Sequence, residues 1–298
     1  MLKISDFERS LEELPLLPAV VVRFLAMNPN DENYFEQVLE LSQEDPTFAL
    51  RIIKLSNSAG SSPVSPISTL QVAVVRLGVK AIAGLIFSMA VMRVFLPTTQ
   101  GEKNLWVHSI QVAVGSKVIA QIAPSLKIDP EQAYLCGLLH DIGRFVLFDK
   151  VASEMNVVEE RSWETPEQLI DVELEQYGFN HAELGCRVCK KWNLPKIVTT
   201  VVANHHKKIL SKQPFKNSQS DTLIHIIQMA DHFSMFMLSN SDALSWMPAK
   251  LEKEWNNWYA HHSHSKSPMS VSQLQALALK VVEESNKMTD ELGIRVNE

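Results

Sequence analysis

The stretch CGLLHDIGRF, residues 136–145, sets the dipeptide His140-Asp141 among small and apolar residues. Its pattern predicts a helix whose surface is buried apart from these two polar side chains. Burying a charged carboxylate without a partner costs several kcal/mol. A divalent metal is one partner that would neutralise Asp141, because Fe, Mn and Zn accept imidazole and carboxylate ligands. The alternative is a buried histidine that is simply hydrogen-bonded to an aspartate.

Further candidate ligands lie on or at the ends of other predicted helices with strongly apolar faces. They are His108 in WVHSIQVA, His181 at the start of HAELG, His205-His206 at the end of VVANHH, and Asp231 in QMADHF. Together with His140 and Asp141, these side chains could line one pocket. Their number makes a metal site a stronger interpretation than the dipeptide alone allows.

The predicted fold is all-α, because almost every long segment has helical periodicity and none shows sustained strand alternation. The predicted helices cover residues 5–14, 33–42, 46–56, 69–77, 80–95, 105–122, 130–148, 165–177, 182–192, 196–204, 222–238, 251–258 and 271–292. Asp45, Asp129 and Thr165 precede prolines and are predicted N-caps. Residues 56–68, 96–104 and 259–270 are predicted loops.

The bulk composition is that of an ordinary globular protein. The chain has 298 residues, of which 46% are hydrophobic and 21% are charged, and its net charge is −6. Acidic and basic residues are interspersed, so no basic face predicts binding to nucleic acid. The N-terminus lacks the apolar core of a signal peptide, and residues 81–92 are too short to span a bilayer. We therefore expect a cytoplasmic protein with no membrane association.

The remaining histidines and the cysteines have simpler interpretations. Cys186 and Cys189 form a CxxC within a helical pattern that has neither a preceding strand nor a second CxxC. They are interpreted as small packed side chains, as is usual for cysteine in a helix. His225 and His232 are predicted to lie on a helix face, whereas His261, His262 and His264 are predicted to lie in a polar loop.

Several motifs, taken in order, resemble the HDOD (HD-related output domain) branch of the HD superfamily. They are LPLLPAV at 14–20, QEDPTFALRIIKLSNSAG at 43–60, ISTLQVAVVRLG at 67–78, GLLHDIG at 137–143 and WNLP at 192–195. The order His108, His140-Asp141, His181, His205-His206, Asp231 is similar to the ligand order of HD-GYP proteins. The resemblance implies an N-terminal helical bundle at 1–97 packed on an HD-type helical domain at 98–240, followed by a helical extension at 241–298.

The resemblance also implies how these residues would hold two divalent metal ions. His108, His140, Asp141 and Asp231 would bind one ion, while Asp141, His181, His205 and His206 would bind the other, with Asp141 bridging. An enzyme of this class would use metal-bound hydroxide to attack phosphorus. Asp141 and Arg144 are then the candidate catalytic residues, since Arg144 can pair with a phosphate in a bidentate manner.

The sequence departs from HD-GYP enzymes after His206. Those enzymes continue with a glutamate and a glycine-tyrosine-proline loop, whereas this chain continues as KKILSKQPF. Two interpretations therefore stay open. One is a bacterial signalling protein that binds a partner protein or a nucleotide, in which the C-terminal helices either cover the domain or form a homodimer contact. The other is a metal-dependent phosphohydrolase acting on a nucleotide or phosphodiester.

Overall fold

The computed structural model describes residues 4–27, 31–57, 65–150, 165–207, 218–263 and 267–294. All regular elements of these residues are helices, with no strand among them, which confirms the predicted all-α class. The α-helices are α1 Glu8–Glu13, α2 Ala19–Ala26, α3 Tyr34–Glu44, α4 Pro46–Ser56, α5 Leu70–Leu77, α6 Val79–Val94, α7 Gln100–Ile122, α8 Pro130–Leu139, α9 Ile142–Lys150, α10 Pro166–Tyr177, α11 His181–Lys191, α12 Lys196–Asn204, α13 Gln219–Ser239, α14 Pro248–Ser263 and α15 Val271–Leu292.

The chain forms two compact units. One comprises residues 15–96 and the other comprises residues 1–14 together with 97–298. Residues 1–14 thus group with the C-terminal part of the chain, although the sequence interpretation placed them in an N-terminal subdomain. The division of the rest into 98–240 and 241–298 stays a prediction.

The unit of residues 15–96 contains α2 to α6. Its buried core includes Phe24, Leu41 and Phe48, each at most 7% exposed. Asp45 caps α4 by accepting from the backbone N–H of Thr47 at 2.8 Å, as the Asp45-Pro46 pair predicted. Its other oxygen accepts from Arg93 at 2.7 Å, which ties α6 to the start of α4.

The larger unit is built around α7, which packs along α8, α13 and α15. Helix α7 is buried along most of its length. It begins at Gln100, although residues 96–104 were predicted to be a loop. The cause is a capping box, in which Thr99 accepts from the backbone of Glu102 and the Glu102 carboxylate accepts from the backbone of Thr99.

Two other predictions about elements are wrong. Residues 130–148 form two helices, α8 and α9, separated at His140-Asp141. Helix α14 continues to Ser263, so His261 and His262 lie on a helix and not in a loop. Packing of this helix against α13 through Trp255 and Trp258 outweighs its polar composition. His264 lies outside the described residues.

Glycines let the helices of the larger unit approach one another closely. A Cβ atom on Gly143 would lie 2.0 Å from the carbonyl oxygen of His181, and one on Gly137 would lie 2.8 Å from the Cα of Ala113. Both distances are far below van der Waals contact, so a larger residue would push α9 from α11, or α8 from α7. These contacts bring the ends of α8, α9 and α11 together.

No single helix of the described residues has the length and hydropathy to cross a membrane. The pair Leu70–Leu77 and Ala81–Val94, which bends by 107°, meets the criteria of length and composition jointly.

Candidate metal centre

The seven predicted ligands come from five places in the larger unit. His108 lies in α7, His140 and Asp141 form the turn between α8 and α9, and His181 is the first residue of α11. His205 and His206 directly follow α12, and Asp231 lies in α13. All but His108 and His206 are almost fully buried, and these two are partly buried. The break between α8 and α9 directs His140 and Asp141 toward the other ligands.

One group of ligands consists of Asp141, His181, His205 and His206, whose ligand atoms all lie within 4.8 Å of one another. The Nε2 atom of His181 is 3.0 Å from Oδ1 of Asp141, 3.2 Å from Nε2 of His205 and 2.9 Å from Nε2 of His206. We call these four residues the His181 group.

The other group consists of His108, His140 and Asp141, again within 4.8 Å. The Nε2 atoms of His108 and His140 are 3.3 Å apart. Asp231 adds a carboxylate oxygen 3.4 Å from Nε2 of His108. We call these four residues the His108 group. Asp141 belongs to both groups, so the structure brings all seven predicted residues together around one carboxylate.

Backbone carbonyls fix the tautomers of two histidines. Nδ1 of His140 lies 2.8 Å from the carbonyl oxygen of Gly137, and Nδ1 of His205 lies 2.8 Å from that of Val202. A carbonyl oxygen only accepts hydrogen bonds, so each Nδ1 carries the proton. The Nε2 atom of each neutral ring therefore presents a lone pair to the centre.

Side chains hold two more histidines in the same way, and sequence reasoning missed these side chains. Nδ1 of His181 donates to Oε2 of Glu173 at 2.7 Å, and Glu173 is fully buried. Nδ1 of His108 lies 3.0 Å from Oγ of Ser234, which gives its own proton to Gln111 at 2.7 Å. Since the Ser234 hydroxyl has one proton, it accepts from His108.

One of these missed residues left a signal in the sequence. Glu173 lies midway between Leu169 and Tyr177 at helical spacing, so a charged residue occupies an apolar stripe of α10. Leu169, Glu173 and Tyr177 are all buried. Ser234 and Gln111 left no such signal, because small or neutral polar residues are common on long packed helices.

Burial is the strongest influence on the pKa values of most of these histidines. It lowers the pKa of His108 to about 4 and that of His140 to about 3, although the Asp141 carboxylate acts in the opposite direction. Burial also lowers the pKa of His205 and of His206, and for His206 neighbouring His205 and His181 add to the effect. These rings are neutral at pH 7 and available as ligands.

His181 and Asp141 behave differently because they contact opposite charges. Burial would lower the pKa of His181, but the carboxylates of Glu173 and Asp141 outweigh it and raise the pKa to about 10. Burial would raise the pKa of Asp141, but His140 and His181 hold it well below the usual range of a carboxyl. Asp141 is therefore ionised, and the centre attracts a cation.

The donor set of the centre fits divalent metal ions. The Nε2 atoms of His140 and His205 carry lone pairs and lie 3.6 Å and 3.5 Å from Oδ1 of Asp141, the carboxylate that the two groups share. A nitrogen lone pair and a carboxylate oxygen that face each other repel unless a cation lies between them. Neutral imidazole together with carboxylate suits Zn, Fe and Mn.

A cavity of about 290 Å³ opens beside the centre. His108, Asp141, His206 and Asp231 lie in its wall, and so does the buried Arg144, whose Nη1 donates to Oδ2 of Asp141 at 3.3 Å. The rest of the wall is mainly apolar and consists of Leu105, Pro166, Leu169, Met235 and Leu238. Gly101, Asn104 and Ser239 also line the cavity. A molecule in this cavity would contact both ligand groups and the guanidinium of Arg144.

Other residues singled out in the sequence do not belong to the two groups of candidate ligands. Cys136 and Cys189 are buried free thiols, and burial raises the pKa of each, to about 12 for Cys189. Thiols of this kind are poor nucleophiles at neutral pH. His232 is buried against Trp258 and Tyr259 of α14.

The family model of the HDOD domain matches residues 14–208, and the chain belongs to the HDOD domain family. Among solved structures, an HDOD domain protein of unknown function from Geobacter sulfurreducens is similar with a TM-score of 0.70 and 21% identity, covering 96% of each chain. A candidate phosphohydrolase from Shewanella amazonensis SB2B is similar with a TM-score of 0.67 and 21% identity, covering 95% of this chain and 97% of its own. At these identities the likeness concerns the fold.

Relatives by sequence are longer proteins. A protein of Treponema pallidum (strain Nichols) without an assigned function is 25% identical over 211 residues, which are 69% of this chain and 40% of that protein. Ribonuclease Y of Mycoplasma capricolum is 32% identical over 110 residues, 37% of this chain and 16% of the enzyme. The chain thus spans less than half the length of these relatives.

Proposed function

We propose that this chain is a signal-transduction protein of the HDOD type whose central pocket holds two divalent metal ions. The observation that carries the proposal is the convergence of histidine Nε2 atoms on Asp141 while Nδ1 partners fix their tautomers. The His181 group would hold one ion and the His108 group the other. When bound, these ions would supply positive charge and open coordination positions for an anionic ligand.

The chain's own residues would then recognise the ligand. Arg144 lies in the cavity wall next to Asp141 and can pair with a phosphate group. Leu105, Leu169 and Met235 would contact an apolar or planar part of the same molecule. A nucleotide combines these two chemistries. The protein would report the ligand to a partner protein by its shape, and dimerisation through the C-terminal helices stays a prediction.

Hydrolysis measurements test the signalling assignment. Protein loaded with Mn(II), Fe(II) or Zn(II) is incubated with mononucleotides, cyclic dinucleotides and short RNA, with and without chelator. We expect no turnover, because this chain lacks the glutamate and the glycine-tyrosine-proline loop that follow His-His in HD-GYP enzymes. A metal-dependent rate that disappears in both His140→Ala and Asp141→Ala proteins would contradict the assignment.

The second candidate function is that of a metal-dependent phosphohydrolase. The open cavity favours it, because both ligand groups and Arg144 face the same space. In that case Asp141 would orient the ions, and Arg144 would neutralise charge developing on a phosphoryl group. Substitution of Arg144 by lysine separates the candidates further. It would reduce a hydrolytic rate by about 10- to 1000-fold while leaving metal content unchanged.

A further inference from the structure

Glu173 carries a negative charge, which distinguishes it from the other groups that orient histidines in the centre. One carboxylate oxygen, Oε2, accepts both from the backbone N–H of His181 at 2.8 Å and from its Nδ1 at 2.7 Å. The carboxylate therefore fixes the start of α11 and the ring of His181 together. The corresponding acceptors for His140, His205 and His108 are two backbone carbonyls and a serine hydroxyl, which carry no charge.

The ring of His181 is the contact that can compensate the charge of Glu173. The residue is 0% exposed, and its second oxygen, Oε1, is buried without a hydrogen-bond partner among the described residues. A buried carboxylate needs a nearby positive charge. The structure supplies this charge through the ring of His181, whose Nε2 faces Asp141, His205 and His206 and can hold either a proton or a metal cation. A cation on Nε2 would stabilise Glu173, and Glu173 would strengthen the bond from Nε2 to that cation.

The His108 group is supported in another way. The ring of His108 is held by Ser234, which is held by Gln111 on the same helix as His108. The negative charge near this ring belongs to Asp231 and Asp141. Glu173 is connected to the shared residue Asp141 through the ring of His181.

We propose that Glu173 is a positioning residue for the ion of the His181 group alone, so that the two ions of the centre can be removed separately. Ser234 has the corresponding role for the ion of the His108 group. This inference rests on the proposed two-metal centre. It adds that the two groups are supported by different contacts. A charged carboxylate, Glu173, holds His181, whereas a neutral hydroxyl, Ser234, holds His108.

The experiment compares wild-type protein with Glu173→Gln, Ser234→Ala and the double variant. Glutamine keeps an acceptor oxygen for Nδ1 of His181 but removes the charge. Glu175→Gln makes the same chemical change two residues along α10 at an exposed position and is the matched control. Each protein is titrated with Mn(II), and bound equivalents are measured by equilibrium dialysis and electron paramagnetic resonance.

We expect two equivalents with a spin-coupled spectrum for wild type and Glu175→Gln. In Glu173→Gln, one ion should bind about 10- to 100-fold more weakly, as is usual when the partner of a ligand histidine is lost. The other ion should be unaffected, leaving an uncoupled six-line signal. Ser234→Ala should also retain one ion, and the double variant should bind both weakly.

Two outcomes would overturn the inference. Glu173→Gln protein could bind both ions with the affinity of wild type, or its affinity for both ions could fall equally. Wild-type protein that binds no Mn(II), Fe(II) or Zn(II) would instead overturn the proposed centre itself. If Glu173→Gln does not fold, nitrogen-15 resonances of the wild-type histidines decide the matter. The proton on Nδ1 of His181 should resonate far downfield because Nδ1 donates to the Glu173 carboxylate. If no such downfield resonance is found, the inference is contradicted.

Discussion

At the residue scale, the histidines of the centre are organised by their Nδ1 atoms. Gly137 and Val202 accept from His140 and His205 through carbonyl oxygens, which directs each Nε2 to the same small volume. A histidine whose Nδ1 faced solvent could adopt either tautomer. Here the protein has fixed the choice before any ion binds, and this lowers the cost of binding one.

His181 gives the centre a specific pH dependence. Its pKa is raised to about 10, whereas those of His108 and His140 are lowered to about 4 and about 3. At pH 7 to 8 an ion that takes Nε2 of His181 must displace one proton, and the other two rings release none. We expect release of about one proton per protein and an affinity for one ion that rises about tenfold per pH unit up to about pH 10. Calorimetry in buffers of different ionisation enthalpy measures this release.

The raised pKa of His181 also affects the stability of protein from which metal has been removed by a chelator. Because the pKa of His181 is raised on folding, its contribution is complete below its ordinary pKa of 6.5 and is lost as pH rises toward 10. Metal-loaded protein should not lose stability over this range, because an ion replaces the proton. Equal slopes of melting temperature against pH for chelated and loaded protein would contradict the assignment of His181.

At the scale of elements, the centre depends on the break between α8 and α9. The backbone of His140 is helical, with φ of −52° and ψ of −41°, and no proline marks the break. Helical periodicity therefore runs through residues 130–148, and the sequence predicts one helix. Just after the break, α9 packs closely against α11 at Gly143, a tertiary contact that periodicity does not report.

Gly143→Ala tests this packing. A Cβ atom there would lie 2.0 Å from the carbonyl oxygen of His181 and 2.8 Å from the backbone nitrogen of Gly185, and neither atom can move without its helix. We expect the free energy of unfolding to fall by at least about 1–3 kcal/mol, with loss of bound metal because His181 is displaced. Chemical denaturation and elemental analysis measure the two effects.

Gly115→Ala is the control, since its Cβ would lie 3.2 Å from the Cβ of Ala230 and 3.6 Å from Cγ2 of Val281, distances that a small shift of these side chains accommodates. It should change the free energy of unfolding by less than about 1 kcal/mol and should retain metal. Gly143→Ala protein with wild-type stability and metal content would show that the approach of α9 to α11 does not position the centre.

Some of this structure was predictable from residues. Asp45, Asp129 and Thr165 cap α4, α8 and α10 as expected, because a capping side chain acts on its own helix. The candidate ligands could be proposed from the sequence because polar residues interrupt apolar patterns. Glu173 interrupts such a pattern too and could have been found, whereas Ser234 and Gln111 act through a contact between α7 and α13 that only the fold reveals.

At the scale of the whole molecule, all seven candidate ligands lie in the unit formed by residues 1–14 and 97–298. The unit of residues 15–96 contributes none of them. Metal binding should therefore act on one part of the chain. We expect chelation to lower amide protection in α8, α11 and α13 while leaving α3 to α5 unchanged in hydrogen exchange.

The expected size of this effect follows from mass action. Free metal at about 100 times its dissociation constant stabilises the binding unit by about 2.7 kcal/mol per ion. Amide exchange followed by mass spectrometry resolves such a change. Equal loss of protection in residues 15–96 would contradict a local effect of the ions.

Metal content tests the central claim most directly. Protein is purified without chelator and its Fe, Mn, Zn, Co and Ni are measured per chain, beside His140→Ala and Asp141→Ala proteins that lack ligands of the centre. The two-metal centre predicts about two equivalents in the wild type and a large loss in both variants. Fewer than about half an equivalent in the wild type, even after incubation with each metal, would contradict it.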